Sequence, residues 1–488
     1  MADITELRTR FEAAGQAHVL RFYDTLDGEA QAALAGELAE VDLDVLARFH
    51  SRAMAACEET FSDPSASAPL HAIEAEDAVG KDQLDTWWAG GLDAVAAGEV
   101  AAVLLAGGQG TRLGSSQPKG CYDIGAPSGK SLFQLQAERI AKVQALAAAK
   151  AGKPAGSVVI PWYIMTSAPT DAPTQAFFTD NEWFGLAQDQ IMFFQQGTLP
   201  CLTVDGKLIL ESAGKLARAP DGNGGIYEAL DKRGVLADME ARGVKYVHTY
   251  CVDNCLAKVA DPVFIGYCVA AGVGVGVKVI PKLEPAEKVG VLALRDGVTH
   301  VLEYSELPKE LAEKRTDDGS LVYSAANIVN HFYTVDFLKA TASTYLHDMV
   351  HHVAHKKIPH VSDDGSETIK PTSNTGIKLE LFIFDVFPSA GDSLAVLQGA
   401  RARDFSPLKN APGTGSDCPE TARMALAELH ASWFVDAGGA LSAQPSLDAL
   451  FEIAPAVSYA GEGLEAFSGV AVDLPYVIDE ADPTLNSA

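Results

Sequence analysis

Between Leu105 and Gly120 the chain reads Leu-Ala-Gly-Gly-Gln-Gly-Thr-Arg-Leu-Gly-Ser-Ser-Gln-Pro-Lys-Gly. Glycines such as Gly107, Gly108 and Gly110 let a backbone approach a ligand closely and turn its N–H groups toward negative charge. Arg112 adds a planar fork for phosphate oxygens and Lys119 a point charge. Backbone donors with two cations suit a triphosphate; the alternative is a tight structural turn with surface charges. The spacing is not that of the dinucleotide fingerprint, because after Gly108-x-Gly110 the next glycine, Gly114, comes one residue late. Nor is Gly125-Ala126-Pro127-Ser128-Gly129-Lys130-Ser131 a Walker A loop, having three residues between its glycines where four are required.

A second informative stretch is a hairpin. Val289–Arg295 and Val298–Tyr304 flank Asp296-Gly297, a strong two-residue turn signal. In that register Gly290 lies opposite Glu303, which leaves room beside the carboxylate; the alternative is a bulge or a packing glycine. His347, His351 and His355 fall at i, i+4, i+8 on an expected helix. The Glu of His-Glu-x-x-His is missing, so they read as a polar helix face rather than a metal site. Cys251 and Cys255 lack a second ligand pair at zinc spacing and read as core thiols around a strand end.

The elements that must position these residues are legible in outline. The chain has 488 residues, 48% of them hydrophobic, enough for a large core. Residues 1–95 read as helical, from Leu7/Phe11/Ala14, Leu34/Leu38 and Leu46/Phe49, with a loop over Ser62–Pro69. From Glu99 onward, apolar runs (Val100–Ala106, Val158–Met165, Ile191–Phe194, Tyr246–Val252, Val273–Ile280) alternate with helical stretches such as Ser131–Ala149. That alternation predicts an α/β fold whose parallel sheet is covered on both faces and takes ligands at its strands' carboxyl ends. Thr421–Phe434 reads as a helix, with strands near Ile453–Val457 and Val470–Ile478. The predicted organisation is an N-terminal helical region (1–95), a central domain (96–390) and a small C-terminal α+β domain (391–488).

Lys plus Arg is 37 and Asp plus Glu is 65, a net charge of -28. Such a surface repels polyphosphate backbones and anionic lipid heads, which excludes nucleic acid and membrane surfaces as partners but leaves room for a small anion in a locally basic pocket. No run approaches the ~18 apolar residues of a membrane span. The acidic start is neither a signal nor a transit peptide, and seven scattered cysteines fit free thiols in a reducing compartment. The chain is therefore expected to be cytoplasmic.

The glycine-rich segment resembles the signature of the nucleotide-sugar pyrophosphorylases. More narrowly, the chain is similar to the eukaryotic-type UDP-N-acetylglucosamine (UDP-N-acetylhexosamine) pyrophosphorylases. Pro161–Ser167, Phe193–Gly197, Ala219–Gly225, Tyr250–Asn254, Ala326–Ile328, Ser406–Asn410 and Ser458–Leu464 carry the resemblance in order along nearly the whole chain, most weakly in residues 1–95. It implies a Rossmann-like (GT-A-like) nucleotidyltransferase core with a mixed, mostly parallel sheet. It also implies Mg²⁺-dependent formation of UDP-N-acetylglucosamine and pyrophosphate from UTP and N-acetylglucosamine 1-phosphate.

In that chemistry a sugar-phosphate oxygen attacks the UTP α-phosphorus in line. The barrier is charge repulsion and orientation, so cations and positioning do the work. Arg112 and Lys119 are the candidates for the triphosphate, and Lys409 resembles the family's lysine that reaches the phosphates. Asp253, at the end of an apolar strand, is the candidate Mg²⁺ ligand; its alternative is a turn or cap. Asp385, after Leu381–Phe384, is the second metal candidate by analogy with related nucleotidyltransferases. Gly107, Gly108, Gln196 and Gly222 are implied at the uracil, and Asn223, Gly290, Glu303 and Asn327 at the sugar. Phe382 and Phe384, two apart on an expected strand face, would wall the N-acetyl pocket, or be plain core.

The rivals are a UDP-glucose or broad UDP-sugar pyrophosphorylase, a non-catalytic sugar-nucleotide-binding subunit on the same fold, and a nicotinamide dehydrogenase, which the glycine spacing disfavours. A monomer or weak homodimer is expected.

Overall fold

The computed structural model describes residues 3–58, 67–70 and 73–485. The chain forms two compact units, each assembled from separated stretches: residues 1–63, 196–228 and 344–385 make one, and 64–195, 229–343 and 386–488 the other. The units interleave along the chain. Part of the expected 62–69 loop lies outside the described residues; its described end, Ser67–Pro69, is a short strand.

The larger unit is built on an 11-stranded sheet. Its strands are β1 (Ser67–Pro69), β2 (Glu74–Ala75), β3 (Val100–Leu105), β4 (Trp162–Thr166), β5 (Ile191–Gln195), β6 (Tyr246–Cys251), β7 (Val275–Pro281), β8 (Val291–Arg295), β9 (Val298–Leu302), β10 (Ala325–Thr334) and β11 (Leu394–Gln398). The main path runs β2-β11-β7-β10-β6-β3-β4-β5. Neighbours along it are parallel except at β10, which is antiparallel to both β6 and β7. The mixed, mostly parallel sheet expected from the resemblance is therefore present. β3 is buried along its full length, as a strand covered on both faces must be.

The covering helices form for local reasons. α1 is Lys81–Ala96 and α2 is Leu132–Lys150. Ser131 caps α2 by accepting from the Gln134 amide, and Phe133, Ala137, Ile140, Val143 and Ala147 form its buried stripe. α3, Pro262–Ala271, starts on Asp261 as N-cap with proline at its first position and stops at left-handed Gly272. The α2 stripe joins Trp162, Ile164, Phe264 and Ile265 in one core, where each fully buried large side chain contributes about 1.5–3 kcal/mol.

The predicted hairpin forms as β8 and β9. Asp296 and Gly297 both take positive φ (51° and 81°), the type I′ geometry that Asp-Gly favours. Its register, Val291 opposite Leu302, carries one step further to Gly290 and Glu303. Residues 386–488 supply β11 to the main sheet and α4 (Pro419–Asp436), which packs its Phe434 against Phe451, Ile453 and Phe467.

The smaller unit has helices Ile4–Ala13, Gly28–Glu40 and Leu43–Glu58 and short two-stranded ladders, among them His352–Lys356 with Gly376–Glu380. Leu7, Phe11, Leu34, Leu38 and Leu46, the periodic residues of the N-terminal helices, pack on Leu202, Leu216, Ile377 and Leu379 of the ladders.

The expected histidine helix is absent. Tyr345–His347 is a single tight turn, His351 lies in irregular chain, and His352 and His355 sit on a strand. Ladder pairing with Gly376–Glu380 overrides the helical spacing. His351 is buried with its ring 4.2 Å from Phe49. The strand expected under Phe382 and Phe384 also stops early, at Glu380, and residues 383–386 are turn.

Candidate phosphate-binding and sugar-binding site

In the larger unit, the glycine-rich loop leaves the carboxyl end of β3. The loop folds back on itself: Gly110 N donates to Gln117 O (3.0 Å) and Lys119 N to Gly108 O (3.2 Å). This brings Lys119, which trails Gly107 by twelve residues, back beside the glycines. Ser167, just beyond β4, donates to the carbonyl of Gly107 (2.7 Å) and so fixes the loop's start. Arg112 is exposed and Lys119 half-buried.

Asp253 follows β6, the strand next to β3, so its carboxylate emerges beside the glycine loop. Its Oδ2 lies 3.4 Å from the Lys119 ammonium. The third sequence-predicted charge, Lys409, arrives from far along the chain. Pro407 forms an antiparallel bridge with Asn254, Leu408 N donates to Asp253 O (2.8 Å), and Cys255 N donates to Ser406 O (3.2 Å). Lys409 is therefore held by main-chain bonds to the loop that carries Asp253. Asn254 clamps the junction, donating to Asp404 O (2.7 Å) and accepting from Ser406 N (2.9 Å). One apolar cluster underlies these segments: Leu113, Leu256 and Leu408 meet Leu132 and Leu426. Each charged or turning residue thus has a buried anchor a few positions away. Cys251 and Cys255 are free thiols at this strand end; burial raises both, Cys255 to about 11, as expected of core thiols.

The same unit brings together Gly290, Glu303 and Asn327. Asn327 N donates to Gly290 O (2.9 Å). A Cβ on Gly290 would lie 2.5 Å from Glu303 Oε1 and 2.8 Å from Val301 Cγ1. The room left by the glycine is thus taken by the Glu303 carboxylate itself.

Sequence reasoning missed two residues here. Lys282, directly after β7, is 3% exposed; burial lowers its pKa while Glu287 and Glu303 act to raise it. His331 is fully buried and bonded to Asn327. The only signal for Lys282 was its place after an apolar run; nothing marked His331.

The near-Walker segment has a structural job. Ser128 donates from N and Oγ to the two carboxylate oxygens of Glu452 (2.8 and 2.7 Å). A protein carboxylate, 1% exposed, takes the donors a phosphate would need.

The smaller unit holds Gln196, Gly222, Asn223, Phe382, Phe384 and Asp385. Gly222 sits at φ 89°, and a Cβ there would lie 2.1 Å from Leu381 O. Gly224 N donates to Leu381 O (2.8 Å) and Leu381 N to Asp221 O (2.8 Å), while Asn223 Oδ1 accepts from Ile383 N (2.9 Å). The glycine-rich loop is thus pinned to the Phe382 turn, and Asn223 keeps its amide NH₂ for other partners. The rings of Phe382 and Phe384 are 5.2 Å apart despite the missing strand, and the His352 ring lies tilted 4.5 Å from Phe382.

Asp385 Oδ2 accepts from Phe382 N (2.7 Å) and Oδ1 pairs with His352 Nε2 (3.0 Å). Both oxygens are committed within this unit, and the residue anchors the Phe382 turn. Asp253 fits a metal: it is an oxygen-only donor, its side chain is 20% exposed, and Mg²⁺ needs only one or two protein carboxylates besides substrate oxygens. Among the described residues no three His, Cys, Asp or Glu side chains cluster as a metal cage.

Fold and site together define an α/β protein with a cationic, glycine-lined edge at the carboxyl ends of its strands. The chain belongs to the UDPGP family, described as UTP–glucose-1-phosphate uridylyltransferase, whose model matches residues 47–448. It is 45% identical to the human UDP-N-acetylhexosamine pyrophosphorylase-like protein 1, over 98% of both chains, and 41% identical to the UDP-N-acetylglucosamine pyrophosphorylase of Saccharomyces cerevisiae, over 98% of this chain and all of that one. The structure matches the crystal structure of the Trypanosoma brucei UDP-N-acetylglucosamine pyrophosphorylase with a TM-score of 0.83 at 29% identity, covering 99% of each chain. Among the described residues no helix is long and apolar enough to cross a membrane.

Proposed function

We propose that this protein transfers the uridylyl group of UTP to N-acetylglucosamine 1-phosphate, forming UDP-N-acetylglucosamine and pyrophosphate. The observation that carries the reading is the convergence of Lys119, Asp253 and the Lys409 segment at the carboxyl ends of β3 and β6. The names of full-length relatives supply the substrates.

An oxygen of the sugar phosphate attacks the α-phosphorus, the bond to the bridging oxygen breaks, and pyrophosphate leaves. The attacking oxygen is already anionic, so no side chain has to take a proton. What the protein must supply is cationic charge and alignment. Arg112 and Lys119 hold the triphosphate on the glycine loop, and Lys409 faces the charge that develops at the α-phosphate. Asp253 holds Mg²⁺, which neutralises phosphate charge when bound. Lys282 adds a cation near Glu303 on the sugar side. On the larger unit, Gly107 and Gly108 take the uracil, and Gly290, Glu303 and Asn327 the sugar. A cytoplasmic location is part of this reading, supported by the scatter of the cysteines along the chain, as is a monomer or weak homodimer.

The test is pyrophosphate release from UTP with N-acetylglucosamine 1-phosphate, N-acetylgalactosamine 1-phosphate or glucose 1-phosphate, each with and without Mg²⁺. Turnover fastest with an N-acetylhexosamine phosphate and dependent on Mg²⁺ supports the reading. Faster turnover on glucose 1-phosphate would move the assignment to UDP-glucose, and no turnover on any of the three would remove the enzyme reading.

A further inference from the structure

β10 is irregular at the residue expected to touch the sugar. Its pairing with β7 jumps from Lys278 opposite Asn330 to Val279 opposite Asn327, so Ile328 and Val329 are looped out. Val329 takes φ 52°, a left-handed conformation that is strained for a β-branched residue. The loop closes through the Asn327 side chain, whose Oδ1 accepts from Val329 N (3.1 Å). A backbone N–H can only donate, so the atom facing it must be the amide oxygen. The usual ambiguity of an asparagine flip is removed.

His331 completes the lock. Its Nε2 lies 3.0 Å from the same Oδ1, and its Nδ1 3.0 Å from the Tyr333 hydroxyl. An amide oxygen cannot donate, so Nε2 carries the proton and Nδ1 accepts from Tyr333. Burial lowers the imidazole pKa to about 3, so the neutral tautomer persists across the working pH range. Phe387, edge-on at 5.1 Å, confines the ring. With both bonds on Oδ1, the Asn327 NH₂ group has no hydrogen-bond partner among the described residues.

We propose that His331 is a positioning residue of the sugar subsite: it fixes the Asn327 amide so that only its NH₂ group is offered to substrate, and the subsite selects a hydrogen-bond acceptor on the sugar. This role rests on Asn327 touching the sugar, as proposed above.

Initial rates at saturating UTP with varied N-acetylglucosamine 1-phosphate test it, with melting temperatures as a fold control. Asn327→Ala and the near-isosteric Asn327→Asp should each raise the sugar-phosphate KM by about tenfold or more and leave the UTP KM within about twofold, because Asp keeps an acceptor for Val329 and His331 but cannot donate. His331→Phe should raise the sugar-phosphate KM by about five- to fiftyfold. His331→Gln, which can donate to Oδ1, should recover part of that loss. In the Asn327→Ala background His331→Phe should add nothing further to KM.

An unchanged KM in Asn327→Ala would remove the sugar contact and this role together. A raised KM in Asn327→Ala but not in Asn327→Asp would overturn the donor assignment alone. An unchanged KM in His331→Phe, or fully additive losses in the double variant, would overturn the role of His331 while the sugar contact stands. Should His331→Phe not fold, Tyr333→Phe takes its place: it removes the donor that holds the tautomer, and an unchanged KM there would overturn the proposal.

Discussion

The Lys119 ammonium lies 3.4 Å from Asp253 Oδ2, a contact across two neighbouring parallel strands that joins the glycine-rich loop to the carboxylate expected to hold metal. Their side chains are 18% and 20% exposed, so the pair is partly screened and both groups remain within reach of a ligand. Triphosphate binding would exchange this ion pair for Lys–phosphate and Asp–metal contacts.

Lys119→Ala should therefore lower kcat/KM by about ten- to a hundredfold, the range of a lost hydrogen bond to a charged group (about 1.5–3 kcal/mol). Asp253→Asn should shift the Mg²⁺ concentration for half-maximal rate upward. Rates measured across an MgCl₂ series separate the two effects; an unshifted midpoint in Asp253→Asn removes that carboxylate from the metal.

Gly222→Ala should destabilise the protein by about 2–4 kcal/mol, combining overpacking with the cost of an alanine at positive φ. The added Cβ meets the Leu381 carbonyl, a backbone atom that cannot swing aside. Urea denaturation measures the loss; an unchanged midpoint would show that the 222–224 loop does not hold its contact with Leu381.

Glu452→Ala should cost about 2 kcal/mol in stability by removing the acceptor of both Ser128 bonds, with rates on all substrates unchanged. A selective loss of UTP affinity would instead show that the 125–131 segment works as a phosphate loop.

Stability should fall as the pH drops below about 6.5, the ordinary histidine value. Burial lowers His248 to about 4, His331 to about 3, His351 to about 4 and His430 to about 3. Between about 6.5 and those values the unfolded chain binds more protons than the folded one. Stability therefore rises with pH through that window and, for these groups, is flat above it. Urea midpoints from pH 8 to pH 4 check this, and a midpoint constant down to pH 5 would contradict it.

Much of the candidate phosphate site was legible because its parts are local. A glycine loop after an apolar run, a carboxylate at the end of another and an Asp-Gly turn each follow from residues within a few positions. The turn even fixed the Gly290–Glu303 register. The strand under Phe382 and Phe384 was misread for the opposite reason. It was inferred from one apolar run, but it stops at Glu380, and the turn that follows is held by Asp385 bonded to His352 and the Phe382 amide. The histidine spacing failed likewise, because pairing with a distant strand outweighs a helical period.

By itself the sequence determined which residues could carry phosphate chemistry, that strands would alternate with helices, and that the site must be a small basic region on an acidic protein. Those follow from side-chain chemistry and short-range periodicity. Only the tertiary structure decided that Lys409 reaches Asp253 through main-chain bonds at Pro407 and Leu408, that Glu452 fills the near-Walker loop, and that a strained bulge and a buried imidazole set the polarity of Asn327. Each depends on segments far apart in the chain meeting over a shared buried cluster or ladder, and no local pattern encodes that meeting.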